Sequence, residues 1–172
     1  MDLTEIKQLV DSYISNPCLI NLYKSWVLLY ILGDREKSDL LLNNYSELIT
    51  FVSNELLKEL PIENKILYRG VLLPKEEDVK EHRIWKYNHV SFTENIKVAE
   101  AFASKSSQYG RLFIAICPEV KDYNGYVITY NLTPEDNVLF SHTWKDSKIL
   151  NDKEFKRFIE FWNQDEVILG RL

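Results

Sequence analysis

Residues 89–104 read HVSFTENIKVAEAFAS, and this stretch decides how the second half of the chain is interpreted. Its first part, His89–Thr93, is short and contains β-branched and aromatic residues, which predicts a strand. The following residues, Ile96–Ser104, have apolar side chains at helical spacing and predict a helix. A strand that leads directly into a helix places this region in a mixed helix-and-strand class.

Further strands are predicted on both sides of residues 89–104. The candidates are Ile66–Val71, Leu112–Cys117, Tyr126–Leu132, Val138–Phe140 and Glu166–Leu169. Each is a short run with strong β-propensity. Between the last two, Asp152 is predicted to cap a helix that continues to about Phe161.

The first 60 residues read as helical. Asp2 resembles the start of a capping box and begins a first predicted helix. A second helix is expected at about Leu19–Leu32 and stops at Gly33, a favourable residue just beyond a helix end. The third starts near Ser38 and ends at Pro61, with a predicted inner stripe formed by Leu41, Tyr45, Leu48, Val52 and Leu56.

Composition supports one globular α+β domain with a helical lobe at residues 1–60 and a strand-rich core at residues 61–172. Hydrophobic residues make up 45% of the 172 residues, enough for a real core. The formal net charge of -5 makes a nucleic-acid partner less expected without excluding one, since a local basic patch can coexist with an acidic total. The first residues, MDLTEIKQL, lack signal-peptide features, so we expect a cytoplasmic protein that does not enter a membrane.

Three short segments carry residues suited to chemistry. Leu67-Tyr68-Arg69-Gly70 places an arginine inside an apolar strand, and Val90-Ser91-Phe92-Thr93 places two hydroxyls on one side of a strand. The third segment is Trp162-Asn163-Gln164-Asp165-Glu166, which leads into the last strand. The two-residue period of strands predicts that Gln164 and Glu166 share a face.

In this order and spacing, the three segments resemble the mono-ADP-ribosyltransferase family of the arginine-serine-glutamate type, which includes clostridial C3-like toxins and phage enzymes. The resemblance covers roughly residues 62–170. It implies an ADP-ribosyltransferase-like split β-sheet core preceded by a helical lobe. It also implies that NAD is the substrate, that nicotinamide is released, and that ADP-ribose passes to a macromolecule. Thr93 stands where serine is commoner, and family members usually continue with a further strand after the catalytic one.

The resemblance assigns roles to the first two segments. Arg69 would hold the NAD diphosphate or its ribose, because a permanently charged fork of donors suits phosphates; the alternative is a structural ion pair. Gly70 would let the backbone approach the nicotinamide amide, or it marks a bulge. Ser91 would hydrogen-bond Glu166, with Thr93 completing the motif, unless these hydroxyls only line a strand edge. Phe92 would pack beneath the sheet or against nicotinamide.

Glu166 is the expected catalytic residue. Cleavage of the bond between ribose and nicotinamide creates an oxocarbenium-like centre, as in glycoside hydrolysis. A carboxylate bound to the ribose 2′-hydroxyl stabilises that charge most in the transition state. Nicotinamide leaves as a neutral molecule, so no general acid is required.

The residues before Glu166 concern the acceptor. Gln164 resembles family members that modify asparagine amides or nucleobases, because an amide matches another amide or a base edge. Phe161 and Trp162 resemble the aromatic turn that contacts the acceptor, or they close the core. A loose basic cluster keeps a nucleic-acid acceptor open beside a protein side chain: Lys145, Lys148, Lys153, Lys156 and Arg157.

Other chemistry finds little support in the sequence. His82, His89 and His142 lack metal-ligand spacing, so we expect no metal, and Cys18 and Cys117 read as reduced thiols. Two alternatives to a transferase stay open: a NAD glycohydrolase, in which water is the acceptor, and a non-catalytic module that retains the fold. By resemblance, the setting would be a bacterial or phage intracellular effector or toxin, with a possible neutralising partner.

Overall fold

The computed structural model of the chain describes residues 17–161 and 163–171, so the helix predicted to begin at Asp2 lies outside it. The helices are α1 (Pro17–Ile31), α2 (Arg35–Glu59), α3 (Ile96–Phe102), α4 (Gln108–Ile116) and α5 (Lys153–Phe161). The strands are β1 (Ile66–Leu73), β2 (His89–Thr93), β3 (Asn124–Asn131), β4 (Asn137–Ser141) and β5 (Glu166–Gly170). Short 3-10 turns span Ile84–Lys86, Pro118–Asp122 and His142–Asp146. The chain is therefore mixed α/β.

Contacts divide the chain into two compact units. One comprises the described residues within 17–62 and 137–163, and the other comprises Glu63–Asp136 and Gln164–Arg171. The first unit thus contains α1, α2, β4 and α5, and the second contains the remaining helices and strands. Each unit is assembled from separate stretches of sequence.

In the first unit, the two long helices meet at Gly33, as predicted. Gly33 has φ +78, the left-handed conformation that ends α1. Its amide donates to the carbonyl of Tyr30 at 3.1 Å, and the amide of Asp34 donates to Leu29 at 3.0 Å. The Asp34 side chain then accepts from the amide of Lys37 at 3.2 Å, so α2 starts a few residues before the predicted Ser38.

Buried aromatic and aliphatic side chains form the core of the first unit. Tyr23 is fully buried and donates to the Leu139 carbonyl at 2.5 Å, which also accepts from Ser53 at 3.1 Å. Burial raises the pKa of Tyr23 far above its usual range, so the phenol stays a donor. The predicted cap at Asp152 is confirmed, because its carboxylate accepts from the amides of Glu154 and Phe155.

The predicted inner stripe of α2 is confirmed at Leu48, Val52 and Leu56, is only half-buried at Leu41 and is wrong at Tyr45. Tyr45 is 42% exposed and has non-helical φ and ψ, whereas Leu42 is buried. The backbone kinks at Tyr45, so a stripe drawn at uniform helical spacing does not continue through that position.

In the second unit, four antiparallel strands lie in the order β3-β1-β2-β5. β1 pairs with β3 along its whole length, and β2 pairs with β5 from His89↔Gly170 to Thr93↔Glu166. Between β1 and β2, the register contains one pair, Tyr68↔Thr93. The part of the sheet that lies in the second unit therefore consists of two well-paired strand pairs that meet at a single register point.

Helix α3 lies directly on β1 and β3, where two glycines leave room for its backbone. A Cβ atom at Gly70 would overlap the carbonyl oxygen of Ala99 and would lie 2.8 Å from Cβ of Phe102. A Cβ atom at Gly125 would overlap the carbonyl oxygen of Ala103. Side chains larger than hydrogen at these two positions would push the helix away from the sheet.

The predicted strand Leu112–Cys117 is wrong, because these residues belong mainly to helix α4. Ser107 caps this helix by accepting a hydrogen bond from the amide of Gly110 at 3.0 Å. The apolar side chains of Leu112, Phe113 and Ile116 are exposed on it. A high β-propensity reflects side-chain packing within a sheet and does not by itself create a strand. In the described sheet, the positions on both sides of β1 are filled by β3 and β2, and residues 112–116 lie in a helix instead.

Candidate functional site

Ser91 and Glu166 form a direct hydrogen bond between β2 and β5. The Ser91 Oγ donates to Oε1 of Glu166 at 2.6 Å. Ladder pairing places Thr93 opposite Glu166 and Ser91 opposite Ile168, so Ser91 is the diagonal neighbour of Glu166 on the same face. Glu166 is 6% exposed, so its carboxylate is held in one orientation by the sheet. The hydrogen bond that the resemblance implies is present.

Arg69 reaches the same point from β1. Its Nη1 donates to the backbone carbonyl of Ser91 at 2.8 Å, and the residue is half-buried. Because β1 and β2 pair at only one point, Arg69 can cross from one strand to the other with its side chain. Ser91 thus accepts a hydrogen bond from the guanidinium at its backbone carbonyl and donates one to the carboxylate from its hydroxyl. The structure brings Arg69 and Glu166 to the same serine, Arg69 through a backbone contact only.

Gly70 and Phe92 have structural explanations of their own. The side of Gly70 that would carry a Cβ faces α3, so helix packing requires the glycine. Phe92 is 3% exposed and stacks on Tyr130 at 5.0 Å between ring centroids, with Trp85 at 6.5 Å. Phe92 therefore packs against the sheet's own aromatic side chains, the first of its two predicted roles. A contact of Gly70 with nicotinamide stays a prediction.

Thr93 uses its hydroxyl within the protein. Its Oγ1 donates to the carbonyl of Gln164 at 2.9 Å and accepts from the amide of Asn95 at 3.0 Å. The residue is 6% exposed. Thr93 therefore fastens the turn that precedes β5, a role that the motif alone did not reveal. Its proposed part in NAD binding is untested.

Gln164 precedes the strand that carries Glu166. β5 begins at Glu166, and Asp165 between them has φ +48, a left-handed conformation. The two-residue alternation of a strand therefore does not reach Gln164, and the argument that placed Gln164 and Glu166 on one face by strand period does not apply. The Gln164 side chain is partly exposed. Trp162 and the side chain of Phe161 lie outside the described residues.

The other end of β5 is anchored by an ionic and aromatic cluster. Arg171 donates to Asp136 at 3.0 Å and to the Tyr130 hydroxyl at 3.0 Å, and its guanidinium lies 4.5 Å from the centroid of the Trp85 ring. The Tyr130 hydroxyl and the Thr133 amide also donate to Asp136. Burial opposes ionisation of Asp136, but these hydrogen bonds outweigh it and lower the pKa of Asp136. Burial and the bond to Asp136 raise the pKa of Tyr130.

Within residues 17–161 and 163–171, no group of three or more His, Cys, Asp or Glu side chains is arranged to hold a metal ion. No helix in the described part of the chain combines the length and apolarity needed to cross a bilayer. Cys117 is a free, half-buried thiol, and the side chain of Cys18 lies outside the described part.

Comparisons with known proteins add no functional information. No protein-family model matches this chain, and neither the curated proteins nor the solved structures contain a match. A functional conclusion therefore depends on the residues and their geometry, above all on the convergence of Arg69, Ser91 and Glu166.

Proposed function

We propose that this protein is a mono-ADP-ribosyltransferase that cleaves NAD, releases nicotinamide and transfers ADP-ribose to a macromolecule. One observation carries the proposal: Ser91 accepts a hydrogen bond from Arg69 and donates one to Glu166. Ser91 thus contacts a cation with its backbone carbonyl and a carboxylate with its hydroxyl, and the three residues come from distant segments of one unit of the fold. This is the constellation that the resemblance to the arginine-serine-glutamate enzymes implies.

The chemistry assigns a separate task to each group. Arg69 binds the diphosphate or the adjacent ribose, because its planar donors match phosphate oxygens. Glu166 accepts a hydrogen bond from the ribose 2′-hydroxyl and stabilises the positive charge that develops as nicotinamide departs. Ser91 keeps the carboxylate aligned for that contact. No proton donor is needed, because nicotinamide leaves without charge.

Sheet geometry supports the same proposal. The β1–β3 pair and the β2–β5 pair meet at the single register point Tyr68↔Thr93. The sheet therefore has its shortest strand pairing between β1 and β2, the two strands that carry Arg69 and Ser91. That arrangement is compatible with the split sheet expected from the resemblance.

The acceptor is proposed to be a protein side chain or a nucleic-acid base. Gln164 lies two residues before Glu166 and offers one amide donor and one amide acceptor, which suit an asparagine amide or a base edge. We further propose a cytoplasmic bacterial or phage effector or toxin with a neutralising partner, as the resemblance implies. Poor growth of cells that express the chain alone would support the toxin reading.

The decisive experiment compares Glu166→Gln with wild type. We expect nicotinamide release from NAD to fall by roughly 100- to 1,000-fold, because the variant lacks the charge that stabilises the transition state. Glu100→Gln, on the exposed side of α3, is the matched control and should keep wild-type activity. Equal rates for Glu166→Gln and wild type would contradict the assignment of Glu166.

The same assay separates the alternatives. A lysate is incubated with labelled NAD and then divided between protease and nuclease. Label lost to protease identifies a protein acceptor, and label lost to nuclease identifies a nucleic-acid acceptor. Nicotinamide release without labelled macromolecules would identify a NAD glycohydrolase. Absence of both NAD binding and NAD consumption would leave a non-catalytic module.

A further inference from the structure

The turn that precedes Glu166 is fastened by three consecutive residues at the end of β2. Thr93 donates from its hydroxyl to the carbonyl of Gln164 at 2.9 Å, and the amide of Glu94 donates to the carbonyl of Asp165 at 3.2 Å. The third contact joins side chains: Nδ2 of Asn95 donates to Oδ2 of Asp165 at 3.2 Å. These contacts bridge about seventy positions of sequence.

Asn95 also caps α3. Its Oδ1 accepts a hydrogen bond from the amide of Lys97 at 3.0 Å, which is the role of an N-cap residue. Ser, Thr or Asp would cap the helix as well, but none of them has both an acceptor for the helix and an amide donor for a carboxylate. Asn95 makes the two contacts with separate atoms, Oδ1 to the helix and Nδ2 to Asp165, so its side chain does more than cap α3.

Asp165 is the residue that accepts the hydrogen bond from the Asn95 side chain. Its φ of +48 is uncommon for a residue other than glycine, and such conformations persist where neighbouring contacts hold them. The bend at Asp165 separates Gln164, which we assign to the acceptor, from Glu166, which we assign to NAD cleavage. A contact that fixes Asp165 therefore fixes the spacing between the two assigned groups.

We propose that Asn95 is a positioning residue that holds the Gln164–Glu166 turn through Asp165 and thereby favours transfer to the macromolecular acceptor over hydrolysis. The inference rests on the proposed ADP-ribosyltransferase function. Ser91 and Arg69 hold the NAD side of the site through their own contacts, which do not involve Asn95. Loss of the Asn95 contact should consequently disturb the acceptor side far more than NAD cleavage.

The test replaces the donor of the Asn95–Asp165 contact by an acceptor and then exchanges the two residue types. Asn95→Asp keeps the cap on α3 but places a carboxylate against Asp165, so the turn loses its side-chain contact and keeps those made by Thr93 and Glu94. We expect the ratio of transfer to hydrolysis to fall on the order of tenfold, because small displacements of a positioned group cost that much or more. The KM for NAD should stay within about twofold, since uniform NAD binding is not altered.

The double variant Asn95→Asp with Asp165→Asn restores the pair with its polarity reversed. Asn also tolerates the left-handed conformation at position 165. We expect the product ratio of the double variant to return to near the wild-type value. A purely structural role for Asn95 predicts a fall in overall stability with an unchanged product ratio. That outcome, or a double variant no better than Asn95→Asp, would overturn the proposal.

A second readout does not depend on activity. Amide hydrogen exchange is measured for Glu94 and Glu166 in wild type, Asn95→Asp and the double variant. We expect faster exchange in Asn95→Asp and recovery in the double variant, because exchange reports local opening. Unchanged exchange in Asn95→Asp would refute the fastening itself. Amide exchange that is slower in wild type than in Asn95→Asp, together with no NAD turnover by wild type, would contradict the proposed function. The claim that Asn95 favours transfer would then fail with it, while the structural contact would stand.

Discussion

Ser91 Oγ lies 2.6 Å from Oε1 of Glu166, across the antiparallel ladder between β2 and β5. Hydrogen bonds to a charged group are shorter and stronger than those between neutral groups. The backbone carbonyl of the same serine accepts from Arg69. Ser91 thus touches both of the charged groups we assign to NAD. Removal of its hydroxyl should affect catalysis through Glu166 without affecting the backbone contact with Arg69.

Ser91→Ala should reduce nicotinamide release by roughly 100-fold, because the Glu166 carboxylate loses the donor that orients it. The backbone contact with Arg69 survives in this variant, so the KM for NAD should change little. Steady-state rates over a range of NAD concentrations check both statements. Ser106→Ala, at an exposed hydroxyl, serves as the control. A kcat equal to wild type would remove Ser91 from the mechanism.

Arg69→Lys should raise the KM for NAD by about tenfold, equivalent to about 1.4 kcal/mol. Lysine keeps the charge but loses the planar fork that suits a diphosphate. Calorimetric titration of NAD into the Glu166→Gln background isolates binding from turnover. Arg111→Lys, at an exposed position on α4, is the matched control. Equal affinities for Arg69→Lys and its parent would show that Arg69 does not bind the dinucleotide.

Gly70→Ala should destabilise the fold by about 1–3 kcal/mol or more, the usual cost of forcing atoms into a packed interior. The new methyl group would overlap the backbone of α3 at Ala99. Gly33→Ala is an instructive control, since a Cβ there meets nothing within 4 Å but φ is +78; its cost should be about 1–2 kcal/mol. Urea denaturation of both variants gives the comparison. A Gly70→Ala variant as stable as wild type would contradict the close packing of α3.

Stability should depend on Asp136 at acid pH. The pKa of Asp136 is lowered from its ordinary value of 3.8, so its contribution is present above that value and is lost as pH falls through the lower folded-state pKa. Asp136→Asn should therefore be less stable than wild type above about pH 5, with a difference that shrinks towards about pH 2. Denaturant titrations across this range measure it. A difference that does not vary with pH would rule out ionisation of Asp136 as the cause.

Local signals predicted much of the fold. The bounds of β2 were predicted as they are, and the end of α1 at Gly33 and the cap at Asp152 followed from the preferences of single residues. The Ser91–Glu166 contact was expected only through the resemblance, because no local pattern relates residues so distant in sequence. Such a contact requires the register of β2 against β5, which sequence spacing does not contain.

The misses share a physical cause. Leu112–Cys117 has the composition of a strand, but Ser107 caps a helix that covers most of these residues. In the described sheet, none of the strands pairs with them. The strand period was applied to Gln164 although Asp165 bends the chain there. Propensity and period describe a regular element, whereas a cap or a left-handed residue decides where that element begins. The role of Asn95 was missed for the same reason, since its side chain joins two turns.

Because β2 is synthesised before β5, the pairing of these two strands also sets when the Ser91–Glu166 contact can form. Ser91 leaves the ribosome 75 positions before the carboxylate it will hold. Synthesis at about 5–20 residues per second leaves an interval of several seconds in which Arg69 and Ser91 exist without Glu166. On the proposed mechanism, a nascent chain that lacks β5 does not consume the cell's NAD, and reactivity arrives only once Glu166 has been added.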